Sequence, residues 1–558
     1  MMNNNEIADH FSLLAKLMDI HGENSFKSKS YAAASFNIEK LTVQLYEIEK
    51  QKIETLKGIG ASSAKKIIEL LETGQLTPLN EMVEKTPKGV IEMLKIKGIG
   101  PKKINTIWKE MELESVGELL YACKENRLKL YKGFGEKTQV SVIASIEFYL
   151  KNMHSFLYAQ TILAAAEFKN LLQNIFSIDT VFITGDFARQ IEIINSLDFV
   201  IAADKNLILE KINIENGFTF TEETADYFFY ETEAGIKVKL YPAKENAIEK
   251  LIETTSSPLF FAALNKNYTG HEIAKNEVDY FSIRKFPFIP SFLREDAEIL
   301  NGNGDFSNLI QNESIKGLIH CHSSWSDGNN TIAEMAKAAM ENGMEYMVIS
   351  DHSKTASYAQ GLREEQIREQ HKQIDELNEQ LAPFKIFKSI ESDILGDGSL
   401  DYSNAVLATF DLVIASVHSN LKMTEEKAMA RVMAAIENPY TTILGHPTGR
   451  LLLSRPGYPL DFKKVIDACA ANDVVIELNA HPSRLDIDWR EIKYALQKNI
   501  LISIDPDAHS LAGIKDTIYG VYAAQKANVQ TNQNLSSFSL VEFEQFLLDR
   551  KKKVGHRF

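Results

Sequence analysis

Gly317-Leu318-Ile319-His320-Cys321-His322, followed by Trp325-Ser326-Asp327-Gly328, is the stretch on which the reading of this 558-residue chain turns. An apolar run with the character of a buried strand delivers two histidines at i and i+2, and a polar turn then brings a carboxylate. On an extended chain i and i+2 share a face, so both imidazoles reach one ion, with Asp327 folding back over them. Cys321 points to the other face. A lone pair of this kind is commonly an ordinary strand end. Here the pattern recurs.

Short apolar runs follow, each ending in a residue of ligand type. Residues 346–350 lead to Asp351 and His352, 385–390 to Glu391, 411–416 to His418, and 442–445 to His446. Residues 474–478 lead to Asn479, and 501–504 to Asp505, with Asp507 and His509 just beyond. Between them, 331–342, 362–381, 425–437, 461–472 and 489–498 carry helical periodicity. Strand alternating with helix implies a parallel sheet. Ligands gathered at strand C-termini are what a closed β/α barrel offers at its active face.

The ordered set of HxH, SDG, SDHS, Glu391 ahead of DGSLDY, His418, the GHP of His446, ELN with HP and RLD, and the DAH of Asp507 and His509 resembles the polymerase-and-histidinol-phosphatase (PHP) domain of bacterial family X DNA polymerases. The likeness covers about residues 315–558 and implies a distorted (β/α)7 barrel. Carried over, the metal ligands are His320, His322, Asp327, His352, Glu391, His418, His446, Asp507 and His509, holding two or three divalent ions. Phosphodiester hydrolysis needs a nucleophile made from water at neutral pH and neutralisation of charge on the phosphoryl oxygens, which closely spaced ions supply. Imidazole mixed with carboxylate suits Mn or Zn, with Fe admissible, better than Mg or Ca. Arg450, Arg455 and Arg484, among the rim motifs, are candidate phosphate clamps.

The net charge of −15 argues at first against a nucleic-acid partner, but residues 1–150 hold 21 Lys+Arg against 20 Asp+Glu, so the excess acid lies downstream. That first part carries three Gly-x-Gly turns joining helical segments: Gly58 and Gly60 before Lys65 and Lys66, Gly98 and Gly100 before Lys102 and Lys103, and Gly133 and Gly135 before Lys137. Glycine lets backbone amides approach a phosphate at a helix N-terminus, and the lysines add charge. The three copies resemble helix-hairpin-helix elements, which grip the DNA backbone without reading sequence; a monovalent cation at such turns is a further expectation. Their order resembles the lyase and fingers regions of family X polymerases. Lys66 falls at the lyase position, near Lys27, Lys29 and Tyr31, though contact with phosphate explains Lys65 and Lys66 equally well.

The middle of the chain departs from the family. Residues 180–185 resemble its first palm strand and 198–202 the strand with its metal-binding aspartates. The turn reads Gly185-Asp186-Phe187-Ala188-Arg189-Gln190, the expected Asp-x-Asp is Ser196-Leu197-Asp198, and Lys239 aligns with the third aspartate. Metal binding needs charged oxygen ligands, and a neighbouring ammonium opposes it, so nucleotidyl transfer is expected to be lost. Residues 259–264, in the expected thumb, lack the usual nucleotide contacts.

These readings give a multidomain chain: a helical lyase-like domain with helix-hairpin-helix (1–85), a fingers-like helix-hairpin-helix domain (86–150), a degenerate α+β nucleotidyltransferase-like palm (151–245), a thumb-like region (246–300), a Gly/Asn-rich flexible linker (301–314) and the PHP domain (315–558). The basic run 550–553 reads as a solvated terminus. No apolar run approaches a membrane span, the start lacks a secretory signal, and Cys123, Cys321 and Cys469 suggest no disulfide framework. The expectation is a cytoplasmic monomer acting on gapped, nicked or 3′-end DNA as a 3′→5′ exonuclease, with abasic-site endonuclease and 3′-phosphatase chemistry within the same class. The alternatives are an active repair polymerase with exonuclease and a DNA-binding scaffold with a structural metal site. A phosphatase for small metabolites would have no use for the hairpins.

Overall fold

The computed structural model describes residues 2–124, 127–151, 155–212, 217–232, 235–453 and 456–555. The chain divides into two compact units, Met1–Met153 and His154–Phe558. Among the described residues no helix is long and apolar enough to cross a membrane.

The first unit is helical. Asn3 caps the helix Asn4–His21 in a reciprocal capping box with Glu6. One apolar cluster runs from Ile7, Phe11 and Leu17 through Ile67 and Leu70 to Ile104, Leu119 and Ile146, so residues 1–85 and 86–150 share a core. The first glycine of each hairpin lies in the left-handed region, with φ of +80° at Gly58, +87° at Gly98 and +92° at Gly133. The second glycine of the first two hairpins, Gly60 and Gly100, N-caps the following helix, Ala61–Thr73 or Pro101–Lys109. The third hairpin leads into Glu136–Lys151.

After the helix Tyr158–Ile175 the second unit forms a five-stranded mixed sheet: β1 (Val181–Thr184), β2 (Leu197–Ile201), β3 (Phe218–Glu223), β4 (Phe228–Thr232) and β5 (Lys237–Pro242), in the order β1-β2-β5-β4-β3. β2 and β5 run parallel, with Asp198 opposite Lys239. Helices Ala247–Thr254, Pro258–Asn265 and Glu277–Ile283 follow around the fully buried Arg294, whose guanidinium is satisfied by Glu277, Thr255 Oγ1 and the Ile289 carbonyl.

Seven parallel strands then form a nearly closed barrel: β6 (Gly317–Cys321), β7 (Tyr346–Ile349), β8 (Lys385–Asp393), β9 (Leu412–Ser416), β10 (Ile443–Leu444), β11 (Val475–Asn479) and β12 (Ile502–Asp505). Helices Ile332–Glu341, Glu364–Leu381, Glu425–Glu437, Phe462–Asn472 and Trp489–Gln497 lie in the expected intervals. Between β12 and β6 the rim closes through Ala508, which exchanges backbone hydrogen bonds with His322 and His320. Ile319, Val348, Phe387, Ile414, Ile443 and Val475 cluster with Phe543 and Leu547 of the C-terminal helix Leu540–Gly555, while Leu318, Met347 and Ile386 pack with residues of the surrounding helices. This strand alternation fills the lower barrel with hydrocarbon and leaves the upper rim to polar side chains.

Two segments are held more firmly than expected. From Asn308 onward the presumed linker is tied to the barrel: Ile310 N–H donates to the Val529 carbonyl, Thr531 N–H to that of Asn308, and Ile310 is buried. The basic run at 550–553 is also anchored, Arg550 on the carbonyls of Asp473 and Thr441, Lys551 on Asp411 and Lys553 on Asp473.

Candidate metal centre and nucleic-acid interface

His320, next to last in β6, has φ of +56°, where the register against β7 shifts. The strand is therefore irregular at the histidines, yet the rings of His320 and His322 still converge, 5.4 Å apart. Cys321 turns away, its thiol donating to the Val348 carbonyl. Asp507, with φ of +54°, brings its carboxylate across the mouth of the barrel.

Glu391, at the end of β8, is the hub. Its Oε1 lies 2.9 Å from His446 Nε2, 3.0 Å from His418 Nε2 and 3.3 Å from His320 Nε2. Its Oε2 lies 2.9 Å from His352 Nδ1 and 3.8 Å from His322 Nε2. Asp507 Oδ1 is 3.1 Å from His322 Nε2 and 3.6 Å from His320 Nε2, while Asp327 stands 3.4 Å from His509 Nε2 and 3.6 Å from His352 Nε2. All nine expected ligands thus meet, in overlapping groups: His322 with Asp327, His352 and His509; His320 with His322 and Glu391; His320 with His446 and Asp507; and His352 with Glu391 and His418.

A second ring of groups orients the imidazoles. Glu477 accepts from Nδ1 of His320 and from the backbone amide of His446. Asp393 lies 2.5 Å from His418 Nδ1, and the Asp507 carbonyl lies 2.9 Å from His509 Nδ1. With the proton on Nδ1, each of these three rings turns Nε2 toward the cluster, the arrangement of a metal ligand backed by a carboxylate or carbonyl. Neither Glu477 nor Asp393 is among the nine; the available signal was a carboxylate inside an otherwise apolar strand, at 477, and two residues after Glu391, at 393.

The electrostatics follow from crowding. Burial, with His509 and His352 alongside, lowers His322 to about 3. Burial opposes ionisation of Glu391, yet His418, His320 and His352 hold it well below the usual carboxylate range. His418 is raised to about 10 against the burial penalty by Glu391 and Asp393. Acidic oxygens and imidazoles here want positive charge between them. His322 Nδ1 is buried without a hydrogen-bond partner, 3.9 Å from Asp327 Oδ1. That gap and the mixed donor set fit a divalent cation.

The arginines fare differently. Arg450 spends its guanidinium on Asp488 and on the carbonyls of Arg484 and Leu485, so it is a strut within the rim and not a free phosphate clamp. Arg484 does face the cluster, with Nε 3.8 Å from Asp507 Oδ2. Arg455 lies outside the described residues.

In the first unit Lys57, Lys65, Lys102, Lys132 and Lys137 are exposed beside the three turns. Lys103 donates to the Gly98 carbonyl at 3.1 Å, taking an oxygen that a monovalent cation at that turn would use. Lys66 is half-exposed with Nζ 5.3 Å over the Tyr31 ring and 3.4 Å from Ser62 Oγ.

In the five-stranded sheet Lys239 Nζ sits 3.4 Å from Asp198 Oδ2, under the rings of Tyr227, Phe229 and Tyr241, while Ser196 Oγ donates to Asp198 Oδ1 at 2.5 Å. Gly185, with φ of +66°, passes so close to Asp198 that a Cβ there would lie 2.6 Å from its carboxylate. Arg189, in the same turn, is paired with Asp186 and Glu295.

Comparison with known proteins matches residues 2–76 to a helix-hairpin-helix domain, 90–147 to a SAM-like helix-hairpin-helix tandem and 319–481 to the PHP domain. The DNA polymerase/3′-5′ exonuclease PolX of Bacillus subtilis (strain 168) is 30% identical over 98% of this chain and 99% of its own length. The chain belongs to the PolX family of bacterial family X polymerases. A smaller part of the chain is similar to probable phosphatases. One, from Acetivibrio thermocellus, is 33% identical over 27% of this chain and 59% of its own length; the other, from Thermoanaerobacter sp. (strain X514), is 25% identical over 40% and 91%. This PolX chain thus joins helix-hairpin-helix elements and a mixed α/β middle to a PHP barrel.

Proposed function

We propose that this PolX chain is a metal-dependent 3′→5′ exonuclease of DNA repair whose polymerase core no longer transfers nucleotides. The observation that carries the reading is the Glu391 hub, one carboxylate shared by five imidazoles. Three further groups hold the proton side of three of those or neighbouring rings. The nine residues would hold two or three divalent ions, Mn or Zn first and Fe admissible, which when bound supply an activated water and neutralise charge on the scissile phosphate. Glu477 and Asp393 keep His320 and His418 in the ligating tautomer, and Arg484 offers a cation to a non-bridging phosphate oxygen.

The amides and lysines around Gly58, Gly60, Gly98, Gly100, Gly133 and Gly135 fit the sugar-phosphate backbone. They favour gapped, nicked or 3′-end DNA as substrate for a cytoplasmic monomer, and abasic-site cleavage and 3′-phosphate removal use the same centre. Lys66 belongs with these phosphate contacts; a lyase role would show as borohydride trapping on an abasic substrate, abolished by Lys66→Ala. Loss of polymerase activity is supported by Lys239, whose ammonium stands beside Asp198 where a cation ligand site would need negative charge.

The test is a 5′-labelled primer-template incubated with Mn. A ladder of shortened products that disappears in His320→Ala/His322→Ala is expected. Intact primer with Mn, Zn and Fe alike would refute the nuclease and leave a DNA-binding scaffold.

A further inference from the structure

We propose that Glu192, in the palm-like domain, is a positioning residue for the barrel's reaction, acting through a hydrogen-bonded relay onto the loop that carries Arg484. The inference rests on the nuclease reading of the barrel. Glu192 follows the Gly185–Gln190 turn and is only 11% exposed in its side chain. Its carboxylate is spent entirely on the barrel, accepting from Trp489 Nε1 at 3.2 Å and Arg490 Nη1 at 2.7 Å.

From there the contacts are continuous. Arg490 Nη1 also donates to Asp488 Oδ1 at 2.9 Å, and Asp488 accepts from Arg450 Nη1 through its other oxygen. Arg450 then clamps two successive carbonyls, those of Arg484 and Leu485. Leu485 has φ of +44°, a conformation that a branched side chain keeps only where its surroundings impose it. The clamped loop holds Arg484 Nε 3.8 Å from Asp507 Oδ2, and Asp507 itself contacts His322. Four charged side chains therefore connect the palm to an arginine that faces the metal cluster.

Removing Glu192 leaves Arg490 without its palm partner and Asp488 free to follow Arg490 away from Arg450. The strained loop then relaxes and Arg484 loses its aim. A palm with no nucleotide to bind thus retains a use, as the abutment for a phosphate-facing loop.

The experiment compares Mn-dependent shortening by wild type, Glu192→Ala, Glu192→Gln, Arg484→Ala and the Glu192→Ala/Arg484→Ala pair, with bound Mn measured on each protein. Lys493→Ala is the control, because it breaks the pairs with Asp296 and Glu298 at the same domain boundary but lies off the relay. The expected result is a kcat/KM lowered about 2- to 30-fold by Glu192→Ala, in the range that such networks carry, with unchanged Mn content. Glu192→Gln, which keeps the Trp489 contact, should recover part of the loss. The Glu192→Ala effect should vanish in the Arg484→Ala background, the non-additivity of a shared pathway. Amide exchange at residues 481–488 should rise in Glu192→Ala and stay at the wild-type level in Lys493→Ala.

An unchanged rate in Glu192→Ala, an equal loss in Lys493→Ala, or additive losses with Arg484→Ala would overturn the relay. If wild type does not cleave at all, the nuclease reading fails, and exchange at 481–488 still decides whether Glu192 holds the loop.

Discussion

The barrel rim and the palm-like sheet each bury carboxylates where a cation is wanted, and they meet that need in opposite ways. At the rim, Glu391, Asp507 and Asp327 face imidazoles, donors that in their neutral form can share an ion with them. In the sheet, Asp198 faces Lys239, a cation built into the chain, under three aromatic rings. A lysine neutralises a carboxylate permanently but has no open position for substrate; an ion held by His and Asp does. The register position opposite Asp198 thus carries a cation fixed to the chain, whereas the rim presents donors that fit an exchangeable one.

The largest expected effect lies at the rim. His320→Ala/His322→Ala removes donors from three of the four ligand groups, and exonuclease activity should fall to background, with bound metal lost in elemental analysis. Residual shortening by that double variant would place the chemistry elsewhere. Next comes the oriented second ring. Glu477→Gln frees the His320 ring to flip, and metal affinity or kcat should fall about 10- to 100-fold, the usual cost of such a partner. An unchanged Mn titration would mean that Glu477 serves only packing.

At the palm the same kind of change should do little to cleavage. Asp198→Asn should leave shortening at the wild-type rate while altering the pH dependence of stability. Burial holds the Asp198 carboxyl up at about 6, against lowering by Lys239 and Ser196. A carboxyl raised above its unfolded value binds its proton more tightly in the native state. Its contribution to stability is therefore present at low pH and lost as the pH rises from about 4 to about 6. Urea unfolding of wild type minus Asp198→Asn across that window should show this decline, and a flat difference would mean that Lys239 keeps Asp198 ionised throughout.

The contrast also shows what the chain declares before it is folded. The barrel was legible because each strand runs into a residue of ligand type and each interval has helical period, and those local patterns coincide with the global topology. His320 and Asp507 converge through positive φ values that no periodicity announces. Glu477 and Asp393 stood out only as carboxylates in apolar strands, and nothing in the local pattern says that they hold the Nδ1 side of His320 and His418. Arg450 reads as a clamp from its place among rim motifs, yet its donors go to Asp488 and two carbonyls that lie 34 or more residues further on. The departure at Lys239 was visible in sequence, but its meaning came from the parallel register that sets it opposite Asp198.

The central claim is that one of these two sites still handles a divalent ion and the other does not. Its most direct test is a 5′-labelled primer-template with dNTPs, Mg or Mn, incubated with wild type and with His320→Ala/His322→Ala, whose lost exonuclease can no longer conceal extension. The account predicts shortening by wild type and an unchanged primer with the double variant. A lengthened primer with the double variant, abolished by adding Asp198→Ala, would contradict it and restore the palm as a working polymerase.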